Sequence, residues 1–263
     1  MNSSQQLCDL VQKQSTWVWY QLRQARLARY QIHEPSITDF FIKNMLREKI
    51  PGFSVKAFTT RQEAKTGADF EFWLNGPSHK WLGLRIQAKI LNFEKRGFLQ
   101  LGYKNQLNTL IQDAQQVGAF PIYCLYSNWD YGNKLIKRRM CCQSQSISQF
   151  GVSFISVSSA ATLKANSQNG LTTVVRHMFP FACLFCDTCS GKSLGLTSRA
   201  TEFIKNNLDS QSDLLEGQNH WQLDTPPSHV SRLIELGPVE SGRVMDELNL
   251  SHVVVITQSN QTE

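Results

Sequence analysis

The chain of 263 residues has room for one large domain, or for one domain with a smaller appendage. Its hydrophobic fraction of 41% is sufficient for a packed core and excludes a disordered or fibrous class of protein. The sequence has neither a long apolar run nor a basic start followed by an apolar stretch, so we expect no membrane span and no secretory signal. Seven cysteines, an odd number without even spacing, favour a reducing cytoplasm in which the thiols are free or bind a metal.

The net charge of +6 is unevenly distributed along the chain. Residues 201–263 hold three basic and ten acidic side chains, a balance of −7, whereas the preceding 200 residues hold 24 and 11, a balance of +13. A strongly basic region attracts polyanions, which makes nucleic acid a candidate partner. Mild basicity is also common among ordinary soluble proteins, so charge alone leaves the partner open.

Hydrophobic periodicity and turn residues predict an ordered series of helices and strands up to about residue 160. The order is a first helix, a second helix, three strands, a helix, a strand and one more strand. It predicts an α/β or α+β fold with a central mixed sheet. The predicted elements are helices at 5–30, 36–48 and 103–117, and strands at 53–60, 68–74, 82–91, 120–126 and 151–157.

Three regions follow from this pattern. Residues 1–35 are predicted to form an N-terminal helix, residues 36–160 the core, and residues 161–263 a C-terminal extension or subdomain. Within the extension the pattern weakens, and the polar stretches 164–170 and 204–219 are typical of loops. The apolar run Val253–Ile256 predicts a late strand that returns to the sheet or belongs to a small subdomain.

A chemically competent cluster is predicted where two neighbouring strands meet. Asp69 opens one strand, Gln87 and Lys89 close the next, and the turn at 75–78 joins the strands as a hairpin. Mg²⁺ prefers oxygen ligands, which Asp69, Gln87 and the backbone carbonyl of Ala88 supply. Lys89 is on the same face as Gln87, where it would orient or deprotonate a water molecule or hold a phosphate. The alternative is that the polar rows are only the solvated side of an amphipathic sheet.

The segment from Ile37 to Ser127 resembles the PD-(D/E)XK nuclease superfamily, and most closely its Mrr-like restriction endonuclease branch with a Gln-x-Lys motif. Gly67-Ala68-Asp69 matches the acidic motif and Gln87-Ala88-Lys89 the closing half-motif. The chain is also similar to an uncharacterised bacterial family that carries this signature. The resemblance implies a restriction-endonuclease-like α-β-β-β-α-β core and an Mg²⁺- or Mn²⁺-dependent endonuclease that acts on DNA, in a restriction or defence setting.

The resemblance also implies supporting residues. An acidic residue of the first core helix often joins such a site, which makes Glu34 and Asp39 candidates, and Glu63 in the loop before Asp69 is the leading one, with a catalytic role. Gln106, in the first turn of the helix at 103–117, is a candidate for contact with phosphate. For all three acids, solvent exposure or helix capping is the alternative. A neutral Gln in place of Glu weakens metal affinity, so a degenerate module that only binds nucleic acid is a second hypothesis.

Three cysteines, Cys183, Cys186 and Cys189, have the spacing of metal ligands. Structural Zn²⁺ requires four ligands, and the fourth would be Cys141, Cys142, His177 or His220. Buried thiols without a metal, or an iron–sulfur cluster, are the alternatives. A zinc-stabilised interaction protein is therefore a third hypothesis. The oligomeric state is open, with a homodimer as one alternative.

Overall fold

The computed structural model describes residues 3–59, 68–103, 105–130, 146–187, 195–208, 221–236, 238–248 and 250–259. The helices are α1 (Ser3–Leu27), α2 (Glu34–Arg47), α3 (Gln106–Val117), α4 (Val157–Ala165), the short α5 (Leu171–Val174), α6 (Leu196–Asn207), α7 (Ser228–Glu235) and α8 (Pro238–Leu248). The strands are β1 (Phe53–Thr59), β2 (Phe70–Asn75), β3 (Trp81–Ile90), β4 (Ala119–Tyr126), β5 (Val152–Ser156), β6 (Phe179–Pro180), β7 (Gln222–Leu223) and β8 (His252–Gln258). Short 3₁₀ turns lie at Ile147–Gly151, Val175–His177 and Phe181–Leu184.

The strands form one mixed sheet in the order β1-β8-β2-β3-β4-β5-β6, and β7 pairs with the beginning of β3. β2 and β3 are an antiparallel hairpin, β3 and β4 are parallel, and β8 runs parallel to β2 and antiparallel to β1. The predicted mixed α/β class with a central mixed sheet is therefore confirmed. The run α2-β1-β2-β3-α3-β4 also has the element order that the sequence predicted.

The C-terminal part of the chain contributes a central strand. The predicted late strand at Val253–Ile256 is confirmed as part of β8, which lies between β1 and β2. β8 thus joins the predicted C-terminal extension and the predicted core in one sheet. The loop prediction for 204–219 is wrong at its start, because Ile204–Asn207 form the last turn of α6. Leu196, Ala200, Phe203 and Ile204 are buried at helical spacing, but the polar residues between them weaken the pattern.

Both faces of the central hairpin are covered. On one face Phe72 packs against Phe41 of α2 and Phe181. On the other face, Arg85 contacts Asp113 of α3, and the ring of Trp73 lies against His229 of α7. All residues of β2 are buried, and so are the inner residues of β3. The alternative that the polar rows are a solvated sheet surface is therefore wrong.

A glycine makes room for the largest side chain of this second face. Gly83 lies directly opposite Trp73 in the β2–β3 register. A Cβ at Gly83 would come within 2.4 Å of the Trp73 ring, closer than any real contact. The glycine therefore lets the indole lie flat across β3.

Across the described ranges, no helix is both long and apolar enough to span a bilayer.

Candidate metal and phosphate site at the ends of β2 and β3

The hairpin register brings Asp69 and Gln87 together. β2 and β3 pair with Phe70 opposite Ile86, and the Asp69 N–H donates to the Ile86 carbonyl over 2.8 Å. Asp69 therefore lies across from Gln87, and both side chains project from the same face because strand residues alternate. The predicted convergence of these two residues is confirmed.

The Asp69 carboxylate is fixed by two donors. Its Oδ2 accepts from the Ala88 N–H at 2.7 Å and from the Gln87 side-chain amide nitrogen. An extended residue projects its N–H and its carbonyl from the same strand edge, so the Ala88 carbonyl also lies on the side of Asp69. The Gln87 Nε2 is 3.3 Å from that carbonyl oxygen. The Gln87 Oε1 is buried and has no donor within the described part of the chain.

A second carboxylate reaches the same place from α2. Glu34 is the first residue of that helix, and its carboxylate accepts from the backbone N–H of Ile90 at the end of β3. It also interacts electrostatically with Lys89 and Asp69. Lys89 is buried, with 5% of its surface exposed. The structure thus assembles two carboxylates, one ammonium and one unpartnered amide oxygen around the end of β3.

Burial dominates the protonation of both carboxylates. It raises the pKa of Glu34 to about 8, with the Lys89 ammonium opposing the shift and the Asp69 charge adding to it. Burial likewise raises the pKa of Asp69, against the opposing effects of Lys89 and the Ala88 N–H. One lysine is therefore not enough to balance the two acids. A bound cation would supply the missing positive charge.

The other predicted site residues, Asp39, Gln106 and Glu63, differ in where the structure places them. Asp39 Oδ1 lies 3.0 Å from His252 Nε2, and burial lowers the pKa of His252, so at neutral pH this contact is a hydrogen bond donated by a neutral imidazole. Gln106 begins α3 and buries an Oε1 that has no donor among the residues described, so its phosphate contact stays a prediction. Glu63 lies outside the described residues. Of the two supporting acids within the described ranges, Glu34 is the one that the structure brings to Asp69 and Lys89.

Tyr123 was missed by the sequence reasoning. It is paired with Gln87 in the parallel β3–β4 register, and it is fully buried. Burial raises the pKa of Tyr123, and the charge of Asp69 raises it further, so the phenol stays neutral beside the site. The sequence marked Tyr123 only as part of a buried strand, because nothing in it revealed the register between β3 and β4.

A buried ionic network continues the polar rows away from this site. Glu71 pairs with Arg85, accepts from the Trp73 indole N–H at 2.7 Å, and is 2.8 Å from His229 Nε2. Arg85 also lies 3.7 Å from Asp113. Burial alone would raise the pKa of Glu71, but the hydrogen bond with His229 and the charge of Arg85 outweigh it, and the pKa is lowered. Both Glu71 oxygens are partnered within this network, whereas Arg85 Nε and Asp113 Oδ2 have no hydrogen-bond partner among the described residues. The partnered carboxylate indicates a structural role.

The cysteine cluster at 183–189 contributes one cysteine to a disulfide, whereas the sequence predicted free or metal-bound thiols. Cys186 forms a disulfide with Cys8, so the expectation of a free or metal-bound thiol is wrong at this position. α1 packs against the turn Phe181–Leu184 and brings together two cysteines that are 178 residues apart, which spacing could not reveal. Cys183 is buried, and Cys189 lies outside the described residues. The predicted zinc set of Cys183, Cys186 and Cys189 is therefore wrong at Cys186, and zinc ligation by Cys183 or Cys189 stays a prediction.

Among the residues that the structure covers, no group of three His, Cys, Asp or Glu side chains could hold a metal ion. The candidate ligands at the end of β3 differ from such groups. They are two carboxylates, of Asp69 and Glu34, the side-chain amide of Gln87 and the backbone carbonyl of Ala88. Mg²⁺ accepts such oxygen sets and keeps several waters. The Gln87 Nε2 faces Asp69 and the Ala88 carbonyl here, so these residues fit a hard divalent cation once the amide turns over and presents Oε1.

The fold and the site define a mixed α/β protein with a buried, charged cluster at the ends of two central strands. Residues 7–262 match the model of a family of unknown function, DUF6615, and the chain belongs to this family. No curated protein and no solved structure matches the chain.

Proposed function

We propose that this protein is a metal-dependent nuclease that hydrolyses phosphodiester bonds in DNA, with a restriction-endonuclease-like core of the PD-(D/E)XK type. The observation that carries the proposal is the meeting of Asp69, Glu34 and the unpartnered Gln87 Oε1 beside Lys89. The shared element order of α2 to β4 supports the fold assignment. The positive balance outside residues 201–263 supports a polyanionic substrate.

Asp69, Gln87, Glu34 and the Ala88 carbonyl would hold Mg²⁺ or Mn²⁺, which when bound neutralises phosphate charge and lowers the pKa of water. The chain's own groups do the rest. Lys89, which is buried and interacts electrostatically with both carboxylates, would orient the attacking water and hold a non-bridging phosphate oxygen. The hydrogen bond that Asp69 accepts from the Ala88 N–H fixes its carboxylate before substrate arrives.

A degenerate module that only binds nucleic acid is the second candidate. The observation that favours it is the neutral amide of Gln87, which removes one negative charge from the ligand set. Glu34 would restore that charge from α2 when metal binding displaces its proton, because it interacts electrostatically with both Lys89 and Asp69. We therefore favour a catalytic site over a degenerate one.

Cleavage of plasmid and linear DNA tests the proposal. Wild-type protein with Mg²⁺ or Mn²⁺ is expected to cut DNA and to stop when EDTA is added. Asp69→Asn is expected to lower the rate at least about 10³-fold, because it removes the central carboxylate. Asp224→Asn, which changes an exposed partner of Lys80, is the matched control and should cut normally. DNA binding by wild type without any cleavage would favour the degenerate module instead.

Protons and metal are expected to compete for Glu34. Because the pKa of Glu34 is about 8 without metal, its carboxyl group is largely protonated at pH 7. The Mn²⁺ affinity should therefore rise by up to about tenfold per pH unit between pH 6 and 8 and level off above. Calorimetry in buffers of different ionisation enthalpy measures the protons released on binding.

Two variants show whether the competition between protons and Mn²⁺ takes place at Glu34 or reflects any loss of a carboxylate. Glu34→Gln should bind Mn²⁺ more weakly and with a shallower pH dependence. Without metal it should also be more stable than wild type at pH 8, since a raised pKa stabilises the fold at low pH and the gain is lost as pH rises through about 8. Glu202→Gln, an exposed change on α6, should alter neither property. Binding that releases no protons at pH 7 would contradict this assignment.

A further inference from the structure

The side-chain amide of Gln87 turns its nitrogen toward the oxygens that would hold a cation. Nε2 donates to Asp69 Oδ2 and lies 3.3 Å from the Ala88 carbonyl oxygen. An N–H group and a metal ion compete for the same oxygen lone pairs, so both cannot occupy this place. Binding of a cation to these oxygens therefore requires the amide to turn over, which exchanges the positions of Nε2 and Oε1.

Turning the amide over moves its N–H groups to the other side of β3. In the present orientation Nε2 faces Asp69, directly before β2, so Oε1 points away from β2. That oxygen is buried and has no donor within the described part of the chain. After the turn Nε2 takes its place, and a buried N–H without an acceptor is costly. The metal-bound site therefore needs an acceptor on the side of β3 that faces β4.

Tyr123 of β4 lies where that acceptor is needed. It pairs with Gln87 in the parallel register, and β4 flanks β3 on the side opposite β2. Paired residues of neighbouring strands, which are about 4.8 Å apart, project from the same face. The phenol is fully buried, and its hydroxyl forms no hydrogen bond of full geometry among the residues described, although the nearby Gly102 N–H opposes the rise of its pKa. Two paired residues thus each bury an unsatisfied oxygen.

Burial keeps this phenol neutral. It raises the pKa of Tyr123 above that of free tyrosine, and the charge of Asp69 raises it further. A neutral hydroxyl has lone pairs that can accept from an N–H donor. An amide ligand needs such a partner, because Gln has one oxygen for the metal and a nitrogen that must be held away from it. A Glu would present either of two equivalent oxygens.

We propose that Tyr123 is a positioning residue for the metal, whose hydroxyl oxygen accepts from Gln87 Nε2 when the amide has turned Oε1 toward the cation. This role rests on the proposed metal-dependent function and adds that the site has a ligand with two orientations. The hydroxyl forms no full hydrogen bond in the metal-free orientation, so its contribution falls on the metal-bound state. It therefore raises the affinity for metal.

Mn²⁺ binding at pH 8, followed by electron paramagnetic resonance of the free ion, tests the proposal independently of cleavage. Tyr123→Phe should bind Mn²⁺ about 5- to 150-fold more weakly, the range expected when a buried donor loses its acceptor. Tyr20→Phe, an exposed change on α1, is the control and should bind as wild type does. Without metal, Tyr123→Phe should be no less stable to urea than wild type. At saturating Mg²⁺ its cleavage rate should return to within about twofold of wild type, which a merely structural defect would not do.

A double-mutant cycle shows whether Tyr123 acts through Gln87. In a Gln87→Ala background, where no amide has to be held, adding Tyr123→Phe should change the Mn²⁺ affinity less than about twofold. Additive losses, wild-type affinity of Tyr123→Phe alone, or no Mn²⁺ binding by wild type would each overturn the proposal. If the cycle shows this coupling while wild type cuts no DNA, the role of Tyr123 stands and the nuclease assignment falls. If wild type cuts DNA and Tyr123→Phe binds Mn²⁺ normally, the reverse holds.

Discussion

Replacing Lys89 by Met is expected to lower the rate of DNA cleavage at saturating Mg²⁺ by at least about 10³-fold. Lys89 is the buried cation that interacts with both Glu34 and Asp69. The variant removes the ammonium that would orient water and phosphate, but it keeps an unbranched apolar stem of nearly the same length. Arg is not a substitute, because a planar fork cannot replace a point charge in this space.

The loss at Lys89 must be separated from a loss of metal. Without the ammonium, the pKa values of Glu34 and Asp69 rise further, so the variant would bind metal less well at pH 7. Rates should therefore be compared at pH 9 and at Mg²⁺ concentrations that saturate both proteins. Lys205→Met, an exposed change on α6, is the control and should cleave as wild type does. A Lys89→Met protein that cuts at a tenth of the wild-type rate or faster would contradict the role of Lys89.

Local rules predicted the hairpin and its polar face. The turn at 75–78 and the alternation of β2 and β3 are local properties, and they predict the hairpin end at which Asp69 meets Gln87. The same rules could not tell that the polar face is covered, because α7, which places His229 against Trp73 and Glu71, lies far from the hairpin in the chain. The predicted pairing of the two polar rows is therefore confirmed. The alternative that these rows face solvent is wrong.

Contacts between distant parts of the chain were beyond these rules. Whether Glu34 or Glu63 supports Asp69 depends on how α2 packs across the sheet, which no spacing encodes. His229 meets Glu71 across 158 residues, and Cys8 meets Cys186 across 178. β8 enters the sheet between β1 and β2 from the end of the chain. In each case the sequence marks the residue type, and the packing of remote elements decides its partner.

The buried network of Glu71, Arg85 and His229 is expected to contribute strongly to the stability of the fold. Glu71→Gln is expected to lower the free energy of unfolding by about 3–5 kcal/mol, because it leaves the buried Arg85 with only the more distant Asp113. Urea unfolding of wild type and variant at pH 7 measures the difference. The exposed pair of Arg232 and Glu247, 3.6 Å apart, is the matched control. Glu247→Gln should cost at most about 1 kcal/mol.

A double-mutant cycle shows whether the cost at Glu71 comes from a stranded charge. Glu71→Leu alone should be severely destabilising, and adding Arg85→Leu should recover about 2 kcal/mol or more, since removing both ions avoids leaving one buried and unpaired. No recovery would contradict the network as the cause. Cleavage per folded molecule gives a second, independent readout. Glu71 lies two residues from Asp69 on the same face, so unchanged cleavage by Glu71→Gln would mean that the network supports the sheet without tuning the site.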